Sequence, residues 1–151
     1  MILVSACLLG EKCRYSGRHS KNQAVVDYLQ GREYLAVCPE VLGGLPIPRP
    51  PAEIKGGRGG DVLGSKAQVY NSAGENVTAA FLEGAYKVAE LAREYNATEA
   101  ILKDGSPSCG VHEIYDGSFS GRKIAGQGVC AAVLLGMGLE VRSEDDLVVD
   151  N

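Results

Sequence analysis

The sequence is short of several things at once, and each shortage removes a class of function. No apolar run reaches the roughly 18–20 residues that a membrane-spanning helix requires. The opening Met1-Ile2-Leu3-Val4-Ser5-Ala6-Cys7 has no basic flank, so it is not expected to act as a secretion signal. The expectation is a cytoplasmic protein with no membrane partner. Positive charge is not in excess. Fifteen Lys and Arg against 19 Asp and Glu leave a formal net charge of −4, the wrong sign for a general binder of polymeric nucleic acid. No C-x-x-C pair occurs, which removes the thioredoxin motif and the usual zinc-ribbon spacing. G-x-x-x-x-G-K-[ST] is absent, so there is no nucleoside-triphosphate P-loop. Gly57-Arg58-Gly59-Gly60 is not expected to follow a strand and lead into a helix in the dinucleotide-binding manner, so that fingerprint is rejected. His19 and His112 have no partner at metal-ligand spacing and read as loop residues, with His19 a weak candidate for a phosphate contact.

What is present suits one domain over residues 1–151, with 45% hydrophobic residues to build a core. Glycine is abundant, at 20 of 151 residues, which signals unusual loops. Charge is uneven: residues 1–66 carry a net +3 and residues 67–151 a net −7. A basic half is compatible with a small anionic ligand. The five cysteines, Cys7, Cys13, Cys38, Cys109 and Cys130, are an odd number, which argues against a disulfide framework.

Periodicity orders the chain. Ile2–Ala6, Tyr34–Val37, Glu99–Leu102 and Leu139–Arg142 read as buried strands. Asn22 caps a short helix with Val25, Val26 and Leu29 on its apolar side. From Asn76, the residues Val77, Phe81, Ala85, Val88, Ala92 and Tyr95 form one helical stripe. Gly126-Gln127-Gly128 opens an apolar helix through Leu135. Ala67–Tyr70 is a further strand, a short hairpin is expected around Ile114–Phe119, and the acidic end is expected at the surface. Residues 43–64 hold seven Gly and four Pro and are expected to be an irregular insertion. The fold class is therefore α/β: a Rossmann-like three-layer domain with a mainly parallel sheet of about four to five strands and a Gly/Pro-rich insertion.

Cys7 follows the first strand, Cys38 the second, and Cys109 lies in the loop after the Glu99–Leu102 strand. In a parallel sheet these positions share one edge, where open α/β proteins bind ligands. Three thiolates on one rim suit a soft metal: zinc, copper(I) or an iron–sulfur cluster. Cys13 is a candidate fourth ligand, while Cys130 reads as buried core. Glu40, stiffened against Cys38 by Pro39, is a candidate proton donor or base. Ser106 and Ser108 bracket Pro107 just before Cys109 and are candidates to hydrogen-bond a ligand. Arg14, Arg49, Lys55 and Arg58 are candidate anion contacts.

Together, Ser5-Ala6-Cys7-Leu8-Leu9-Gly10 with Arg14-Tyr15, Cys38-Pro39-Glu40 with Gly43-Gly44-Leu45-Pro46 and Pro48-Arg49-Pro50-Pro51-Ala52-Glu53, and Ser106-Pro107-Ser108-Cys109-Gly110 resemble the thiouracil desulfidase family, domain of unknown function 523. Ser16 stands where the R-Y-x-G block commonly has Asp, and Cys130 where Thr is more familiar. The resemblance implies a 4Fe–4S cluster on Cys7, Cys38 and Cys109 with one open iron, and catalytic roles for Glu40 and Ser106. It also implies a small-molecule substrate, a thiolated nucleobase or nucleotide such as thiouracil or a thiouridine nucleotide. The expected reaction is non-redox hydrolytic C=S cleavage with release of sulfide. Arg14, Ser108, Arg49, Lys55 and Arg58 are the expected substrate contacts. The alternative is a non-catalytic metal- or cluster-binding module that handles sulfur or senses redox state. Oligomeric state is not legible.

Overall fold

Strands covered on both faces read as continuous apolar runs, and those runs become the centre of the molecule. The computed structural model describes residues 1–147; Asp150, part of the acidic end, lies outside the described residues. In chain order the elements are β1 (Ile2–Ser5), α1 (Gln23–Tyr28), β2 (Tyr34–Val37), α2 (Pro39–Leu42), β3 (Ala52–Lys55), α3 (Gly59–Leu63), β4 (Gln68–Asn71), α4 (Thr78–Glu94), β5 (Glu99–Leu102), β6 (Glu113–Tyr115), β7 (Lys123–Ala125), α5 (Val129–Gly136) and β8 (Glu140–Ser143). Short 3-10 turns cover Ala6–Leu9 and Glu144–Leu147.

The central sheet is parallel, in the order β2-β1-β5-β8. Ile2 aligns with Tyr34 on one side and Glu99 on the other. Alternation along β1 sends neighbours to opposite faces. Ile2 and Val4 pack with Val25 and Leu29 of the α1 segment and with Leu147, while Leu3 joins Phe81, Ala85 and Val88 of α4 and Val129 and Leu134 of α5. The α/β class is thus a sheet with helices on both faces. The chain steps from β1 to β2, then returns across β1 to β5 and on to β8. Crossovers of one hand laid in opposite directions put their helices on opposite faces, as α1 and the α4–α5 pair are. The reversal falls between β1 and β5, so the carboxyl ends of these strands form the mouth where such sheets bind ligands.

Helix α4 begins where Asn76 Oδ1 accepts the Thr78 amide at 3.0 Å. Its buried stripe is Phe81, Gly84, Ala85, Val88, Ala89 and Ala92; Tyr95 is exposed, so the stripe closes a turn earlier than the spacing suggested.

Three expectations are corrected. The segment 43–64 is not irregular throughout: β3 pairs antiparallel with β4, Ala52 opposite Asn71 and Lys55 opposite Gln68, and α3 follows, so a strand and a helix do flank Gly57-Arg58, though β3 belongs to a two-stranded antiparallel sheet and not to a parallel βαβ unit. The partner strand lies outside the segment, so local composition could not reveal it. The hairpin is wider than Ile114–Phe119. Its strands are β6 and β7, and Gly117, Phe119 and Gly121 between them have φ of 94°, 56° and 82°, which no extended strand allows. The acidic end is not all surface. Glu144 is buried, with Oε2 at 2.9 Å from Lys103 Nζ and Oε1 accepting the Asp104 amide at 2.8 Å. Among the described residues, no helix is long and apolar enough to cross a membrane.

Candidate active site

Cys7 lies in the 3-10 turn that closes β1, Cys38 is the residue that opens α2, and Cys109 follows β5 in its loop. With Cys13 they line one cavity of about 250 Å³ at the carboxyl ends of the strands. The residues Glu40, Ser106, Ser108, Arg14 and Arg49 line it too.

Pro39 occupies the first position of α2, where a missing N–H and a fixed φ favour helix. This turns Glu40 toward the cavity. Helix α2 meets α4 backbone to backbone: a Cβ on Gly84 would sit 1.9 Å from the Pro39 carbonyl oxygen, and one on Gly43 2.0 Å from that of Ala80. The loop bearing Ser106, Ser108 and Cys109 is packed as closely. A Cβ on Gly128 would lie 2.6 Å from the Ser108 carbonyl carbon, and one on Gly59 2.2 Å from the Gly128 oxygen. Glycines of the Gly/Pro-rich segment therefore serve close packing around the site.

The polar groups form one connected set. Ser106 and Ser108 hydroxyls stand 3.2 Å apart, and Ser108 Oγ donates to Glu40 Oε2 at 2.9 Å. Ser106 Oγ also accepts the Cys109 amide at 2.7 Å. Arg49 is buried and fully engaged: Nε donates to Glu40 Oε1 at 3.2 Å, one Nη to the Pro46 carbonyl at 3.1 Å, and the other to the Cys13 carbonyl at 3.0 Å. Cys38 Sγ reaches that same Cys13 carbonyl at 3.7 Å.

Lys55 and Arg58, expected to contact substrate, do not line this cavity. Lys55 Nζ lies over the rings of Tyr70 and Phe119, at 5.3 and 5.7 Å from their centroids. Arg58 opens α3 and donates to the Ala125 carbonyl. His19 Nδ1 accepts the Lys21 amide within its loop. His112 pairs with Asp146 at 2.7 Å, outside the cavity. Cys130 is buried in α5, within the core.

Three carboxylates and bases in the wall were not singled out from sequence as site residues. Lys103 pairs with Glu144. Asp104 Oδ1 accepts four amides, from Gly105, Val111, His112 and Glu113, at 2.8–3.2 Å. Glu53 appears in the wall with Tyr115 and Tyr15. The only sequence signal for Glu53 is its place in the Pro48–Glu53 block; Asp104 and Lys103 carry none beyond their position after a strand.

Three of the cavity thiols resist ionisation. Burial pushes Cys109 up to about 12, with the hydroxyls of Ser5 and Ser108 partly opposing it. The hydrogen bond between Cys38 and Cys13 raises Cys38 far above the ordinary thiol range, and burial adds to it. For Cys13 the Cys38 contact favours ionisation, but the Cys7 hydrogen bond, burial and neighbouring charge outweigh it and push the thiol up to about 11. A metal that binds thiolates must therefore displace these protons.

The donor set of four thiols has the chemistry that soft metals and iron–sulfur centres take. Among the described residues, no three His, Cys, Asp or Glu side chains close around a point that a single metal ion would fill. A cube of four irons and four sulfides holds its ligands farther apart than one ion does, and sulfur is its donor of choice.

The sheet order, the thiol-lined mouth and the Ser106–Ser108–Glu40 chain place a polar, sulfur-rich pocket at the carboxyl edge of an α/β fold. Residues 2–146 match the 2-thiouracil desulfurase family, and the chain belongs to that family. A curated relative, the uncharacterized protein YbbK of Bacillus subtilis (strain 168), is 48% identical over 147 residues, covering 97% of each chain. A solved structure of the [4Fe-4S]-dependent thiouracil desulfidase TudS is 45% identical, with a TM-score of 0.84 over 97% of this chain and 91% of that one.

Proposed function

We propose that the protein removes sulfur from a thiolated pyrimidine by hydrolysis and releases it as sulfide, using a 4Fe–4S cluster held by Cys7, Cys38 and Cys109. The observation that carries this reading is the single cavity in which those cysteines meet Glu40, Ser106 and Ser108. Membership of the 2-thiouracil desulfurase family supports it. When bound, a cluster with one iron free of protein ligands supplies a soft Lewis acid that prefers a thiocarbonyl sulfur to an oxygen.

The protein's own groups account for the rest. Glu40 takes a proton from the water that attacks the thiocarbonyl carbon. Arg49 holds the Glu40 carboxylate in place through its Nε contact. Ser108 donates to Glu40, and Ser106 donates to Ser108 and orients the water or the ring. Oxygen from water replaces sulfur on carbon, sulfur leaves as hydrogen sulfide, and no electrons are gained or lost. Arg14 forms no ion pair among the described residues, so a phosphate on a nucleotide substrate meets Arg14 rather than Lys55 or Arg58.

Anaerobic reconstitution followed by iron, sulfide and turnover assays tests this. Wild-type protein should release sulfide from 2-thiouracil, and comparison with 4-thiouridine monophosphate separates base from nucleotide. A Cys7/Cys38/Cys109 triple Ala variant should lose the cluster; a full cluster in that variant overturns the ligand set. Glu40→Gln should keep its iron and lose turnover by about 100-fold or more; unchanged turnover removes Glu40 as the proton carrier.

A further inference from the structure

Glu53 is a carboxylate at only 9% exposure, and among the described residues no Lys, Arg or His pairs with it. Its Oε1 accepts the amides of Gly117 at 2.9 Å and Phe119 at 3.2 Å. Among the described residues its Oε2 has no hydrogen-bond partner, yet it is not sealed inside, because Glu53 forms part of the wall of the cysteine-lined cavity. A nearly buried carboxylate oxygen without a donor is costly. A ligand that brings an N–H relieves that cost, whereas a phosphate near it would be repelled.

We propose that Glu53 is a specificity-determining residue: Oε2 accepts the ring N–H that adjoins the thiocarbonyl of the substrate. The inference rests on the reading of the site as a thiolated-pyrimidine desulfidase, and it names how the ring is recognised. The other carboxylates in the wall are less suited. Both Glu40 oxygens are engaged, by Arg49 and Ser108. Asp104 is only half-buried, so an oxygen of its carboxylate without a donor costs less than one on the more deeply buried Glu53. Glu53 is also fixed in place before the ring arrives. The loop that holds it lies directly on β3, where a Cβ on Gly117 would be 2.5 Å from the Ile54 carbonyl oxygen. In a pyrimidine with sulfur at C2 or C4, N3–H is next to the thiocarbonyl whether or not N1 carries a sugar. Glu53 therefore reads a feature common to the free base and its nucleotides.

The test combines a variant with a substrate series on the cluster-loaded enzyme. In Glu53→Gln the amide oxygen still accepts from Gly117 and Phe119, but an NH₂ donor replaces Oε2. KM for 2-thiouracil should rise about 10- to 100-fold, and uracil, the product, should bind correspondingly more weakly by equilibrium dialysis. Iron content and melting temperature should stay at wild-type values. N3-methyl-4-thiouracil, whose thiocarbonyl at C4 has no adjoining N–H left, should be a poor substrate for the wild type beside 4-thiouracil and lose little more in the variant. Unchanged KM and uracil affinity in Glu53→Gln would show a purely structural latch and overturn the proposal. A wild type that turns over the N3-methyl compound as well as its parent overturns it without any variant. Either result in an active enzyme leaves the desulfidase reading standing, whereas a wild type that releases no sulfide from any thiopyrimidine fails that reading instead.

Discussion

Asp104 shows how one side chain can organise a loop that carries others. Four amides converge on its Oδ1, and they belong to the stretch that includes Val111, His112 and Glu113 and encloses Ser106, Ser108 and Cys109. Burial opposes its ionisation, but the four amides outweigh burial and hold the carboxyl below its ordinary range. A carboxyl depressed on folding adds stability above its unfolded pKa, about 3.9, and that contribution is lost as pH falls through the lower folded value. Urea unfolding of the wild type should therefore weaken below about pH 4. Asp104→Asn should flatten that acid limb. Asp104→Ala should cost about 2–3 kcal/mol near neutral pH by leaving the amides without an acceptor; an unchanged midpoint would mean that water replaces the carboxylate fully. Such a residue is hard to see in sequence. An Asp after a strand looks like any turn residue, because the amides it binds lie up to nine positions away. Glu53 hides for the same reason, since its amide partners are more than sixty positions distant.

Among the elements, the α2–α4 contact shows which energy decides. Replacing a mid-helix glycine with alanine ordinarily stabilises by up to about 1 kcal/mol through helix propensity. At Gly84 the new Cβ would stand 1.9 Å from a backbone oxygen of α2, which neither side can relieve by a rotamer change. Overpacking of this kind costs about 3 kcal/mol, so Gly84→Ala should lower the denaturation midpoint. It should also shift Cys38 and Glu40, and reduce iron retention and turnover together. A variant as stable as the wild type would show that α2 can slide without harm. The same comparison explains what composition could and could not tell. Tyr34–Val37 and Glu99–Leu102 were legible to the residue from their apolar runs, but only the second is largely buried; the first is an edge strand with Tyr34 exposed and Val37 alone buried. Ala52–Lys55 was not, because Pro and Gly dominate its neighbourhood and its partner strand lies outside that segment. The three cysteines could be placed on one rim from strand order alone. Cys13 could only be offered as a companion, since its approach to Cys38 depends on how the first loop folds back.

At the scale of the molecule, the site is a junction of separately folded pieces. Four thiols crowd one cavity, while Cys130 sits in the core away from it. A centre that binds only the folded state stabilises it by mass action. Removing the metal with a chelator under anaerobic, reducing conditions should lower the melting temperature. It should open Cys7, Cys13, Cys38 and Cys109 to alkylation while Cys130 stays protected, as peptide mass mapping would report. Alkylation of the four at equal rates with and without iron would separate the thiols from any metal. The order of the sheet carries a last implication. β5 enters between β1 and β8, and Cys109 lies beyond it at position 109 of 151. A ribosome making this chain has completed β1, β2 and β5 before Cys109, the last of the four cavity thiols, exists. Until β5 is made, the nascent polypeptide holds Cys7, Cys13 and Cys38 while one edge of β1 has no partner. A pocket that needs Cys109 is thus completed only once three of the four strands of the central sheet have been made.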